Sequence, residues 1–137
     1  MIEKNLSTGE HAQFVDVTML VVEAVQELGL TDGAVLVFNP HTTAGVTVNE
    51  GADPDVVYDM LGVLDGLVPW RAGYRHAEGN AAAHVKASLM GSSVTVPVVA
   101  GRLQLGTWQK IWFCEFDGPR RRRLWMSVVG QGDGKVG

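Results

Sequence analysis

A single cysteine, Cys114, stands among 137 residues. That excludes an internal disulfide framework and any zinc finger built on cysteine ligands. No apolar run approaches the ~20 residues a membrane-spanning helix needs; the longest, Ala34–Phe38 and Val96–Ala100, are strand-sized. Basic residues are outnumbered, with 11 Lys+Arg against 15 Asp+Glu and a formal net charge of -4. No basic face is therefore visible for gripping a nucleic-acid backbone. Met1–Glu10 mixes charge and polarity around no apolar signal core. Low-complexity blocks and internal repeats are also missing. The expectation is a cytoplasmic protein with neither nucleic acid nor membrane as partner.

What is present suits one folded domain. Hydrophobic residues make up 46% and charged residues 19%, outside the composition of disordered chains. At this length folding buries roughly two-thirds of the unfolded surface, enough for a core without staples. We expect a single domain over 1–137, with 130–137 as a flexible tail.

Periodicity supplies the elements. Gln13–Val17 reads as a short strand, after which Asp16 or Thr18 can cap a helix. Its apolar positions Leu20, Val21, Ala24, Val25 and Leu28 recur at helical spacing, and Gly29 stands where a C-cap glycine would. Ala34–Phe38 reads as a buried strand. In Ala44–Glu50 the residues Ala44, Val46 and Val48 point one way, and Thr43, Thr47 and Asn49 the other. Asp53-Pro54 opens a second helix, with Val56, Val57, Met60, Leu61 and Leu64 on one stripe. Asn80 can cap a third, with Ala81, Val85 and Leu89 expected inward and Gly91 ending it. Ser93–Val99, Gly106–Phe116 and Arg121–Val129 read as strands, the last two joined by an Asp117-Gly118-Pro119 turn. The predicted fold class is α+β: one compact domain with about three helices and a mainly antiparallel, sandwich-like sheet. No Gly-rich fingerprint supports a Rossmann reading.

His41 heads the strand carrying Thr43, Thr47 and Asn49; His76 lies in the loop before Asn80, and His84 one turn into the third helix. Three imidazoles converging from a strand, a loop and a helix would suit a tetrahedral divalent ion with an open position. The plainer reading packs His84 beside Ala81, Ala87 and Ser88 and leaves His41 as a strand cap. Asp53 and Asp55 are explained by a helix N-terminus, whereas Glu50 and Asp59 are less easily dismissed. The run Arg120–Arg123 would alternate in a strand, two on each side, and at least two read as a solvated edge. Trp108 and Trp112 share parity and read as core or interface; Cys114 reads as a buried small hydrophobe.

Several blocks taken together point further. They are His41-Thr42-Thr43-Ala44, Asn49-Glu50, Asp53-Pro54-Asp55-Val56 and Tyr74-Arg75-His76-Ala77-Glu78-Gly79-Asn80. Ala83-His84, Gly91-Ser92-Ser93, Gly106-Thr107-Trp108-Gln109 and Glu115-Phe116-Asp117-Gly118-Pro119-Arg120 follow in order. With these the chain resembles the YjbQ-like family, named for a secondary thiamine-phosphate synthase activity. The resemblance implies a homotrimer and metal ligands at His41, His76 and His84, with Zn²⁺ suited to the imidazoles and Mg²⁺ to a diphosphate. It implies a metal-dependent enzyme on a small phosphorylated substrate, coupling a hydroxymethylpyrimidine diphosphate to a thiazole phosphate. Glu50, Asp59 and Asn80 would then be catalytic. Thr42, Thr43, Asn49, Arg75, Ser93 and Arg120 would bind substrate, with Arg120 donated by a neighbouring chain. The alternatives are a metal-dependent hydrolase, or a non-catalytic homotrimer that binds a metal or a metabolite.

Overall fold

Val35 and Val37 are buried along β3 (Gly33–Phe38), while Gly33 and Phe38 at its ends are exposed. This strand holds the centre of the larger sheet. The computed structural model describes residues 1–130; positions 131–137, most of the expected tail, lie outside the described residues. Five strands form the larger sheet in the order β1 (Ile2–Ser7), β8 (Arg121–Val129), β3, β5 (Ser93–Val99) and β6 (Arg102–Leu103). Three more form the smaller one, β2 (Gln13–Asp16), β7 (Gln109–Glu115) and β4 (Ala44–Glu50). Every pairing is antiparallel.

One hydrophobic core joins both sheets, bringing Val35, Val96, Leu124 and Met126 together with Ala44, Val46, Ile111 and Phe113. Helix α1 (Thr18–Leu28) closes it through Val21, Ala24 and Val25. Asp16 accepts from the Thr18 N–H at 3.0 Å at its start, and Gly29 ends it with φ 65°, the left-handed conformation that favours glycine. A second cluster gathers Phe14, Ala83, Cys114 and Phe116 beneath α2 (Pro54–Leu67) and α3 (Ala81–Met90). The Asp53 carboxylate caps α2 through the Asp55 N–H at 2.9 Å, with Pro54 opening the helix. The α+β, single-domain, sandwich-like expectation therefore holds.

Two local expectations do not, and one strand has no local signature. The polar opening of the chain is strand β1, zipped onto β8 in the register Ile2 to Met126; long-range pairing ordered what local composition left open. Trp108 precedes β7 and is 64% exposed, because residues 106–109 make a turn closed by the Gln109 N–H on the Gly106 carbonyl. Helix α3 is rotated from the expected face: Val85 and Leu89 are exposed, while Ala82, Ala83, Lys86 and Ala87 are buried. Small residues face β4 because the approach is tight. A Cβ on Gly45 would stand 2.7 Å from the Met90 Cβ, and the Val46 N–H reaches the Gly91 carbonyl at the helix end.

Candidate functional site

That close packing aims the N-terminus of α3 at one end of the sandwich. The 40–43 segment, the loop before Asn80 and the 117–120 turn meet there. They enclose a cavity of about 390 Å³, lined among others by His41, Thr42, His76, His84, Asp117 and Arg120. His76 and His84 face each other edge to face, with ring centroids 5.3 Å apart and planes at 88°. The Glu78 carboxylate lies 3.9 Å from His76 Nε2.

Asn80 and Asp117 organise the floor. Asn80 donates through Nδ2 to Asp117 Oδ2 at 2.9 Å. Arg120 donates from Nη2 to the same oxygen at 3.1 Å and from Nε to the Asp117 carbonyl at 2.7 Å. Asn80 forms no side-chain cap on α3. Its Oδ1 is the one buried side-chain polar atom among the described residues with no hydrogen-bond partner. Such an atom normally has a partner, in the protein or in something bound.

Behind the cavity lies a buried ion pair. Arg122 donates from Nε to Glu115 Oε1 at 2.8 Å, from Nη2 to Glu115 Oε2, and from Nη2 to Thr43 Oγ1 at 2.9 Å. Thr8 donates to Glu115 Oε1 at 2.7 Å, and the Phe116 and Asp117 N–H groups cover Oε2. Burial pushes the Glu115 carboxyl up. The Arg122, Asp117 and Thr8 hydrogen bonds outweigh it and hold the group below its ordinary range. The arginine run thus divides unevenly: Arg121 and Arg123 are exposed and Arg122 is interior. Charge opposition across the β7–β8 hairpin, Glu115 facing a run of arginines, was the available signal. Asp117, read only as a turn residue, had none.

The structure brings His41, Thr42, Thr43, His76, Asn80 and Arg120 together with His84 at this cavity. One chain supplies Arg120 alongside the histidines, so no neighbour is needed to bring it. Glu50 and Asn49 end β4, roughly 20 Å from Thr43 at about 3.3 Å per residue. There Glu50 accepts from the Ala52 and Asp53 N–H groups at 2.6 and 3.3 Å, shaping the entry to α2. Asp59 lies on α2, lining an apolar groove with Met60 and Met90. Ser93 opens β5 beyond the opposite end of α3, and Arg75 is exposed in the loop without lining the cavity. The even polar line expected from His41 to Asn49 is broken, since Thr43 is buried against Arg122 while Asn49 is exposed.

The three histidines do not make the expected ligand set. Among the described residues no group of three or more His, Cys, Asp or Glu side chains is placed to hold an ion. His41 Nε2 accepts the Arg123 N–H at 2.9 Å and is not free to ligate an ion. Burial and the nearby Arg122 charge hold the His41 imidazole below its ordinary range, disfavouring its charged form.

Comparison with known proteins fixes the relationship. The family described as "UPF0047 protein YjbQ-like" matches residues 3–131. The chain belongs to this family. The UPF0047 protein YugU of Bacillus subtilis is 51% identical over 126 residues, covering 91% of this chain and 96% of that one. A UPF0047 protein of Methanocaldococcus jannaschii is 42% identical across 95% of this chain and 94% of its own. Among solved structures, a YjbQ/UPF0047-family protein of Clostridium acetobutylicum superposes with a TM-score of 0.92 at 53% identity. That match covers 94% of this chain and all 100% of that one.

These findings confirm the family and the fold and correct the function. The relatives carry a family designation and no reaction, and among the described residues no three-ligand group is assembled. The metal-dependent thiamine-phosphate synthase reading is overturned, and its metal-dependent hydrolase alternative with it. No described helix is long and apolar enough to cross a membrane.

Proposed function

We propose that the cavity is an acid–base active site for a small hydroxylated carboxylate. The unpartnered, buried Asn80 Oδ1 carries this reading. It is an acceptor in the cavity wall, suited to a hydroxyl donated by a bound molecule. Arg120 keeps part of its guanidinium edge beyond the two bonds to Asp117, which suits a carboxylate. The facing His76 and His84 rings supply groups able to take and return a proton. A volume of about 390 Å³ fits a compact substrate.

A panel of small hydroxy acids, glycolate through gluconate, tests the proposal by calorimetry and by NMR detection of turnover or solvent-deuterium incorporation. The expected result is binding of at least one panel member that Asn80→Ala weakens at least tenfold, with turnover lost in His84→Gln. Turnover equal in wild type and His84→Gln, or no binding by any member, overturns it.

We also propose the homotrimer as the assembly. Tyr58, Val63 and Leu67 on α2 are 77%, 60% and 70% exposed, apolar surface of the kind that subunits cover. Light scattering at micromolar concentration should return three chain masses; a monomer overturns this.

A further inference from the structure

A second cavity, of about 290 Å³, opens on the other flank of α3. Leu61, Leu64, Trp70 and Phe116 give it apolar walls. Lys86 is its floor. This lysine follows His84 by two residues, about 200° around the helix, so it faces away from the histidine cavity.

Its burial needs an explanation. The Lys86 side chain is 7% exposed, whereas surface lysines extend their ammonium into water. The nearest carboxylate oxygen, Asp65 Oδ1, stands 3.8 Å from Nζ, beyond hydrogen-bond length. Among the described residues no other acceptor reaches this group. An ammonium carries three donors; here the stem is buried while the donors that Asp65 does not meet are left to water, which an anion's oxygens could replace. Asp65 is 79% exposed and can turn away into solvent. The rim is aromatic: His11 stands edge-on to Trp70 with centroids 4.4 Å apart.

We propose that this cavity binds a small carboxylate carried on an aromatic or branched apolar body. Lys86 receives the carboxylate, and Trp70, Phe116 and the two leucines enclose the body. A cation is repelled by Lys86, and a wholly polar molecule gains nothing from these walls. Asp65 is the internal competitor that the ligand's carboxylate displaces.

Calorimetry on the full chain tests this with three probes: phenylacetate, the neutral phenylacetamide, and acetate. The expected result is one phenylacetate per chain, with the amide and acetate each at least tenfold weaker. Lys86→Met should erase the preference for the acid over the amide. Asp65→Asn, a change at an exposed position that leaves the core untouched, should tighten phenylacetate several-fold. Equal affinity for acid and amide, an Asp65→Asn variant that binds no better, or no binding of phenylacetate at millimolar concentration overturns the proposal. The Asp65→Asn result decides the matter even where Lys86→Met fails to fold.

Discussion

Glu115 and Arg122 meet as an ion pair inside the protein, their side chains 0% and 5% exposed. Seven residues separate them, across the hairpin that forms one wall of the histidine cavity. Removing one partner leaves an uncompensated buried charge, which costs about 3–5 kcal/mol. Glu115→Leu should therefore lower stability by that order in urea denaturation, and adding Arg122→Met should recover much of the loss. A single-variant loss below about 1 kcal/mol would show the pair to be unimportant.

Acid should weaken the fold in two windows. The His41 pKa is depressed below its ordinary 6.5, so its contribution is present above that pH and is lost as pH falls through the folded-state value. Glu115 is depressed below its ordinary 4.5, so its contribution is lost at still lower pH by the same sign. Urea midpoints measured from pH 8 to pH 3 should fall in both windows. His41→Gln should flatten the upper one alone; a wild-type midpoint unchanged between pH 7 and 5 contradicts the assignment.

Gly45→Ala should be destabilising by about 1–3 kcal/mol, the usual range for overpacking. The added methyl would stand 2.7 Å from Met90 Cβ and 3.0 Å from the Gly91 carbonyl oxygen. It pushes α3 off β4, and α3 carries Asn80 and His84. Thermal unfolding checks the stability, and the His84 ring resonances report the shift. An unchanged melting temperature would mean the contact yields freely.

Cys114 should resist thiol reagents while the protein is folded. It is fully buried, and burial pushes its thiol well above the ordinary value, leaving almost no thiolate to react. An aromatic disulfide reagent should label it only at the rate of unfolding. Fast labelling in native buffer would show that the second cluster opens locally.

Where a residue's role depends on its chain neighbours, the sequence alone determined it. Gly29 ends α1 because the left-handed conformation favours glycine; Asp53-Pro54 opens α2 because an acceptor and a fixed φ suit that position. The elements other than β1 and β6, the fold class, the burial of Cys114 and a grouping of His41, His76, His84 and Asn80 followed from such patterns and from the family blocks. Tertiary structure decided what each face meets. Arg122 alternates with Arg121 and Arg123 as any strand residue would, yet only its side faces Glu115 and Thr43. Glu50 has the inward parity of Val46 and Val48 but lies past the core, where the N–H groups opening α2 take its carboxylate. Lys86 is interior because α3 turns its alanines, not Val85 and Leu89, toward β4. Periodicity says which residues share a face, but a face becomes interior only when another element covers it, and that element comes from distant sequence.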